Sequence, residues 1–245
     1  NKALDEPFVS LSDHLFCDRA VVGGWTRADE PILPYTTMET MRSGWSWRIE
    51  HEHVINRGYV FCSGYLDDDA AADELVAANP KLDRNALRVV PFAARHVRRA
   101  WVHNVVAIGN ACGFVEPLEA TNIQVICLHA LQLAVALSEG APSDATRQRY
   151  NSYVTDLWAC VRDFLALHYR FNTRLDTPFW TMAVNETPLG DLEEYVRLYQ
   201  ERGPLLHTDE DGKPAGLFGY DGPLAILLGL GVAWRGSDSG VRSPG

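Results

Sequence analysis

The stretch VVAIGNACGFVEPLEATNIQVICLHALQLAVAL, Val105 to Leu137, decides how the chain is read. Val105 to Gly109 is apolar and β-branched and reads as a buried strand. Gly109-Asn110, Gly113 and Pro117 then punctuate a turn, and an apolar, buried helix opens between Glu119 and Thr121. Strand, glycine turn and helix start direct unpaired backbone N–H groups at one spot, which is how proteins hold small anions and the polar parts of nucleotide cofactors. Gly109 and Gly113 would let the backbone approach a flat ligand without a Cβ in the way. An ordinary connection carries the same marks, because it too needs glycine, and Thr121 or Asn122 is a common capping residue. Glu119 is equally open: a first-turn carboxylate either complements the helix dipole or acts as a functional group in a partly apolar pocket.

Upstream, Trp45 to Ile49 alternates apolar and polar positions, and Tyr59 to Ser63 and Leu87 to Phe92 are β-rich runs between turn residues, so three strands are expected. Asp67 to Ala78 starts acidic and continues with alanines, as a helix does. Downstream, Asp144 to Phe171 spaces Tyr150, Tyr153, Val154, Leu157, Val161, Phe164, Leu165 and Tyr169 three and four residues apart. That predicts a long amphipathic helix with room for one break. Leu192 to Arg202 predicts a further helix stopped by Gly203-Pro204. From Leu205 the chain is glycine-rich, and its last residues, GSDSGVRSPG, have the composition of a disordered tail. The expected class is α+β: a sheet-rich part over 1–122, a helical region over 123–234 and a tail over 235–245.

With 245 residues of which 47% are hydrophobic, the chain can bury a real core. Its 22 basic against 32 acidic residues, net charge -10, would repel a phosphate backbone, so neither nucleic acid nor an anionic membrane is an expected partner. The apolar run Ile123 to Leu137 is interrupted by Gln124, His129 and Gln132 and is too short for a bilayer. Cys17, Cys62, Cys112, Cys127 and Cys160 are odd in number and lack a C-x-x-C pair, against a disulfide framework or zinc site and in favour of a reducing cytoplasm. The chain opens at Asn1 with no secretory signal and reads as a piece of a longer one. No G-x-S-x-G elbow and no Walker motif occurs.

Several residues carry two readings. His51 and His53, placed on a strand, would share a face as metal ligands do, yet no third ligand is evident, and a solvated or salt-bridged strand end is the preferred reading. No metal is expected. Cys112 lies beside the turn, where a helix start lowers thiol pKa values, but a small buried residue fits as well. His168 reads as a satisfied, partly buried histidine, with the HYRFN run free to face a substrate. Arg95, Arg98 and Arg99 are candidates to pair with the acidic run Asp67 to Asp69.

GNACGFVEPLEATNI resembles the turn and helix start of flavin-dependent halogenases of the tryptophan halogenase family. GWSWRIE, Gly44 to Glu50, is similar to that family's W-x-W-x-I-P motif, and FLALHYRFNTRLDTPFW, Phe164 to Trp180, looks like its late helix and exit. CDRAVVGGW, PYTT and RGYVFCS fit in the same order, so the resemblance covers roughly residues 10 to 230.

The resemblance implies the C-terminal portion of a flavin monooxygenase-like, FAD/NAD(P)-binding fold, a mixed sheet followed by a helical region on the substrate side. It implies FAD used as FADH2, dioxygen and a bound chloride or bromide, which together halogenate an electron-rich arene such as tryptophan or indole, pyrrole or phenol. By similarity Thr121 and Asn122 match the halide-binding pair, Asn110 and Ile123 touch the flavin, and Gly109 and Gly113 allow its approach. Glu119 matches the glutamate near the substrate that orients the halogenating species or accepts the ring proton. Trp45 and Trp47 match the signature tryptophans, although two indoles on one strand face also make a plain core contact. Expected partners are the aromatic substrate, free or tethered to a carrier protein, and a flavin reductase. The motif's proline is Glu50 here, and Ala120, Thr121 and Asn122 replace the usual serine, threonine and glycine. The family's G-x-G-x-x-G and catalytic lysine find no match: Lys2, Lys81 and Lys213 lie among polar or turn residues. Alone, the chain is expected to be inactive. A flavin-dependent aromatic monooxygenase, or a remnant that binds a protein partner, are the competing readings.

Overall fold

The computed structural model describes residues 5–204 and 217–235. In chain order it forms β1 (Phe8–Ser10), β2 (Arg19–Thr26), β3 (Thr37–Met41), β4 (Gly44–Glu50), β5 (Val54–Phe61), α1 (Asp68–Ala78), β6 (Arg88–Pro91), β7 (Arg95–Val97), β8 (Trp101–Val102), β9 (Val105–Val106) and β10 (Gly113–Phe114). The helices α2 (Asn122–Ser138), α3 (Asp144–Arg170), α4 (Pro178–Glu186), α5 (Glu193–Arg202) and α6 (Asp221–Gly229) follow. By compactness the chain forms two units that do not follow sequence order. One is Phe16–Ala93 with Asn172–Asn185; the other holds the described residues of Asn1–Leu15, Ala94–Phe171 and Glu186–Gly245. Residue 122 falls inside the second unit, because β10, α2 and α3 fold together.

The first unit is built on an antiparallel sheet of order β3-β4-β5-β2-β6. Val21, Met41, Tyr59 and Phe61 cover one of its faces and pack on Ala71, Ala72 and Leu75 of α1, removing apolar surface from water. The helix starts as its sequence predicts: Asp67 accepts from the Ala70 N–H at 2.8 Å. The acidic run pairs within this unit, Asp68 with Arg19 at 2.6 Å and Asp69 with Arg84 at 2.8 Å. In the other unit, Arg99 holds Glu6 at 2.8 Å, and Arg95 lies over the Phe8 ring.

Trp45 and Trp47 do share a face of β4, with ring centroids 5.9 Å apart. Trp47 lies flat on Gly58, where a Cβ would sit 1.9 Å from its ring, so this glycine is required by close approach. Glu50, at the family's proline position, is a buried carboxylate whose side chain is 2% exposed and is gripped by Arg27 and Arg48. Burial alone would raise its pKa, but the two guanidiniums outweigh that and hold it below the usual carboxylate range. His51, Glu52 and His53 are the solvated end of β4: they lie in the exposed β4–β5 turn, where His51 N–H donates to Val54 O at 2.9 Å and His53 lies 3.7 Å from Glu52. Among the described residues no group of three or more His, Cys, Asp or Glu side chains is placed to hold a metal.

In the second unit, β1-β7-β10 form a small antiparallel sheet and β8 pairs with β9. α3 runs 27 residues without a break, capped by Ser143, which accepts from Thr146 N–H at 3.1 Å. Its predicted stripe is buried from Tyr150 to Tyr169, apart from the half-buried Tyr153, and centres on Trp158. α5 begins at Glu193 after a 3-10 turn, Gly190–Leu192, and Gly203 ends it at φ 87°. α6 takes DGPLAILLG, which glycine-rich composition concealed. The tail GSDSGVRSPG, Lys2 and Lys213 lie outside the described residues.

Two readings of the deciding stretch are corrected. Val105 to Gly109 is not a buried strand: β9 has two residues in an edge hairpin with β8, and Val105 is exposed. α2 is not a buried helix either. Only Val125, His129 and Ala136 are buried, whereas Ile123, Ile126, Leu131, Val135 and Leu137 face outward, Ile123 at 74% exposure. Counted from Leu118 to Ser138, the segment is long and apolar enough to cross a membrane by length and composition, contrary to expectation. Left-handed residues at 119 and 120 interrupt it, leaving 17 continuous residues. That is about 25 Å of helix against roughly 30 Å of hydrocarbon.

Candidate functional site

The site grows from the chain between β9 and α2. Residues Gly109–Ala111 form a 3-10 turn closed by Cys112 N–H on Gly109 O at 2.9 Å, and β10 then pairs Gly113 with His96 of β7. Gly109 has φ +55°, and a Cβ there would lie 2.4 Å from Ile126 Cγ1. At Gly113 a Cβ would meet His96 Cβ at 2.7 Å and the Trp158 ring at 2.8 Å. Both glycines are therefore demanded by the chain's own packing. Gly109→Ala is expected to lower stability by about 1–3 kcal/mol, combining left-handed strain with overpacking. Thermal denaturation checks this, and a second change, Ile126→Ala, should relieve only the overpacking.

His129 ties this turn to α2. The Gly109 N–H donates to its Nδ1 at 3.2 Å, and the ring is fully buried against Trp158. Burial pushes its pKa down to about 4, so it stays neutral with its hydrogen on Nε2. In the sequence it looked only like an interruption of an apolar run.

Ahead of α2 the backbone is strained. Glu119 has φ 62° and Ala120 φ 50°, both left-handed without being glycine. Such residues cost roughly 1–3 kcal/mol each and persist where the surroundings over-determine them. Thr121 follows in right-handed geometry, 4% exposed, and its side chain makes no capping bond. Its buried Oγ1 has no partner among the described residues. The ordinary capping alternative is thus not what forms. Half-buried Asn122 opens the helix, and Asn110 and Ile123 are exposed. An uncapped first turn beside an orphaned buried hydroxyl is a donor set that fits a small anion.

Two glutamates flank this turn, and adjacent residues of α3 reach both. Tyr169 OH donates to Glu116 Oε1 at 2.6 Å, and His168 Nε2 lies 3.0 Å from Glu119 Oε1. The Glu119 side chain keeps 30% exposure. The His168 bond is the larger influence on it and outweighs burial, so the carboxyl is held below the usual glutamate range. Glu119 is therefore a carboxylate with acceptor character. The reading of His168 as merely satisfied missed its partner, which lies 49 residues away in sequence.

Cys112 is fully buried, and burial pushes its thiol pKa up, so it is a packing residue and not a nucleophile. Lys81, in the other unit, is half exposed and ion-paired with Glu30. A cleft of about 670 Å³ opens beside Arg98, Trp101, Arg147, Asn151 and Asp156, and none of the turn residues lines it.

With this geometry in hand, the chain was compared with known proteins. Residues 1–243 match the family described as tryptophan halogenase. The chain is 36% identical over 227 residues to the tryptophan 6-halogenase ThaL of Streptomyces albogriseolus, covering 89% of this chain and 42% of that protein. Among solved structures it superposes on the tryptophan 5-halogenase MibH with a TM-score of 0.85 at 34% identity, covering 96% of this chain and 46% of that one. BrvH, a flavin-dependent halogenase from Brevundimonas sp. BAL3, gives 0.86 at 29% identity, over 96% and 47%. The chain thus has a mixed α/β fold matching flavin-dependent halogenases over part of their length, and it spans less than half the length of these relatives.

Proposed function

Because the chain belongs to the tryptophan halogenase family, we propose that it is the C-terminal part of an enzyme that places chloride or bromide on an electron-rich aromatic ring. The observation that carries this reading is the turn before α2, where a buried, unpartnered Thr121 hydroxyl, an uncapped helix start and the ionised Glu119 come together. Thr121 and Asn122 would hold the halide, largely through backbone N–H groups at the helix start. Asn110 and Ile123, both outward-facing, would touch the flavin. FAD bound as FADH2 supplies, with dioxygen, the oxidising equivalents that turn a halide into an electrophile. Gly109 and Gly113 shape the turn, while Glu119 orients the reacting species and accepts the proton lost from the ring carbon. Trp45 and Trp47 pack against each other on β4, with Trp47 over Gly58.

The lysine that this chemistry uses would come from residues outside the chain, as would the G-x-G-x-x-G. The partners of the complete protein are then a small aromatic substrate, free or carrier-tethered, and a reductase supplying FADH2. A reducing cytoplasm suits the five free cysteines.

The test is mass spectrometry of products made by the complete enzyme with FADH2, dioxygen and bromide across a panel of indoles, pyrroles and phenols. Product ions in the bromine isotope pair are expected. Halide-independent hydroxylation of the same arenes would overturn the reading in favour of an oxygenase, and no turnover of any arene would overturn it in favour of a binding module.

A further inference from the structure

We propose that His168 is a positioning residue for Glu119: its imidazole bridges the Phe164 carbonyl and the Glu119 carboxylate and keeps that carboxylate aimed. The inference rests on the reading of Glu119 as the proton acceptor and adds a residue to it.

The geometry is specific. His168 Nδ1 lies 3.3 Å from Phe164 O, and its Nε2 lies 3.0 Å from Glu119 Oε1. A backbone carbonyl only accepts, and an ionised carboxylate only accepts. The shorter contact is the one to Glu119, so Nε2 carries the hydrogen that the carboxylate accepts. The ring is fixed further by edge-on contact with Phe164, with centroids 5.6 Å apart, and its side chain is 15% exposed.

The neighbouring residue does the same for the other glutamate. Tyr169 OH donates to the buried Glu116 at 2.6 Å. The last turn of α3 therefore grips both ends of the strained E-P-L-E segment and supplies the over-determination that Glu119 and Ala120 need at positive φ. Among the described residues, His168 is the partner whose hydrogen bond lowers the Glu119 carboxyl's pKa. Glu116 from the same turn is engaged by Tyr169, and His129 from α2 is neutral and turned to Gly109.

The sign follows. With His168 in place, the carboxyl titrates below the ordinary glutamate range; without it, only burial acts, and burial raises the carboxyl's pKa. In the complete enzyme, His168→Leu is expected to move the acid limb of the kcat/KM profile upward by about one pH unit or more. His168→Gln keeps a donor and should restore the carboxylate's position and part of the limb. Crystal structures of the two variants give a readout independent of activity, with the Glu119 carboxylate displaced in the Leu variant and retained in the Gln variant. An unmoved limb with an unmoved carboxylate in His168→Leu would overturn the proposal, whereas a structural role alone would lower kcat without shifting the limb. Full activity in Glu119→Gln would sink the proton-acceptor reading instead, and the crystallographic arm would then decide the pairing by itself.

Discussion

Glu119→Gln in the complete enzyme is expected to cut kcat by roughly 10²- to 10⁴-fold, the range lost when a positioned acid–base group is removed. The substitution preserves size and one acceptor oxygen, and it can still meet His168, so folding should be spared. What disappears is the capacity to take a proton. Electrophilic substitution leaves the ring carbon carrying both hydrogen and halogen, and aromaticity returns only when that hydrogen departs as a proton. A carboxylate that stays ionised beside His168 has a free acceptor for it. The measurement is a steady-state assay with FADH2 supplied, together with a melting curve to establish that the variant folds. Wild-type turnover would remove Glu119 from the chemistry.

The second large effect concerns stability. Glu50→Ala is expected to destabilise the chain by about 3–5 kcal/mol, because removing one member of a buried ionic cluster strands the others. Arg27, with a side chain 8% exposed, and Arg48 both end on this carboxylate. Arg27 also donates to the carbonyls of Glu30 and His51, so it cannot simply swing into water. Linkage gives the pH dependence. Glu50 titrates lower when folded than when unfolded, so its contribution is complete above the unfolded carboxyl pKa and fades as pH falls through the folded one. Chemical denaturation at neutral and acid pH should show the variant's deficit shrinking in acid; a constant deficit would mean the cluster is held by packing alone.

Glu50 also explains a departure that the sequence could only record. A proline at this position has no carboxylate to anchor the hairpin, whereas here the chain reverses at His51 with Arg27, just past β2, and Arg48 of β4 drawn in. Periodicity made the elements themselves legible: the two-residue alternation of Trp45 to Ile49 and the stripe along α3 both became what they predict. Contacts between distant parts of the chain were not legible. Nothing in HYRF names Glu116 or Glu119 as partners, because the pairing depends on how a 27-residue helix is aimed. The glycines were recognised as special, but the packing neighbours that require them, Ile126 at Gly109 and Trp158 at Gly113, are far off in sequence or hidden in a helix. The error at α2 has a plainer origin. Hydropathy records how apolar a helix is, and burial depends on what lies against it.

Along α2, Ile123, Ile126, Leu131, Val135 and Leu137 meet water in this polypeptide. Expressed by itself, the polypeptide would present this greasy seam to solvent, and clumping is expected to limit its yield.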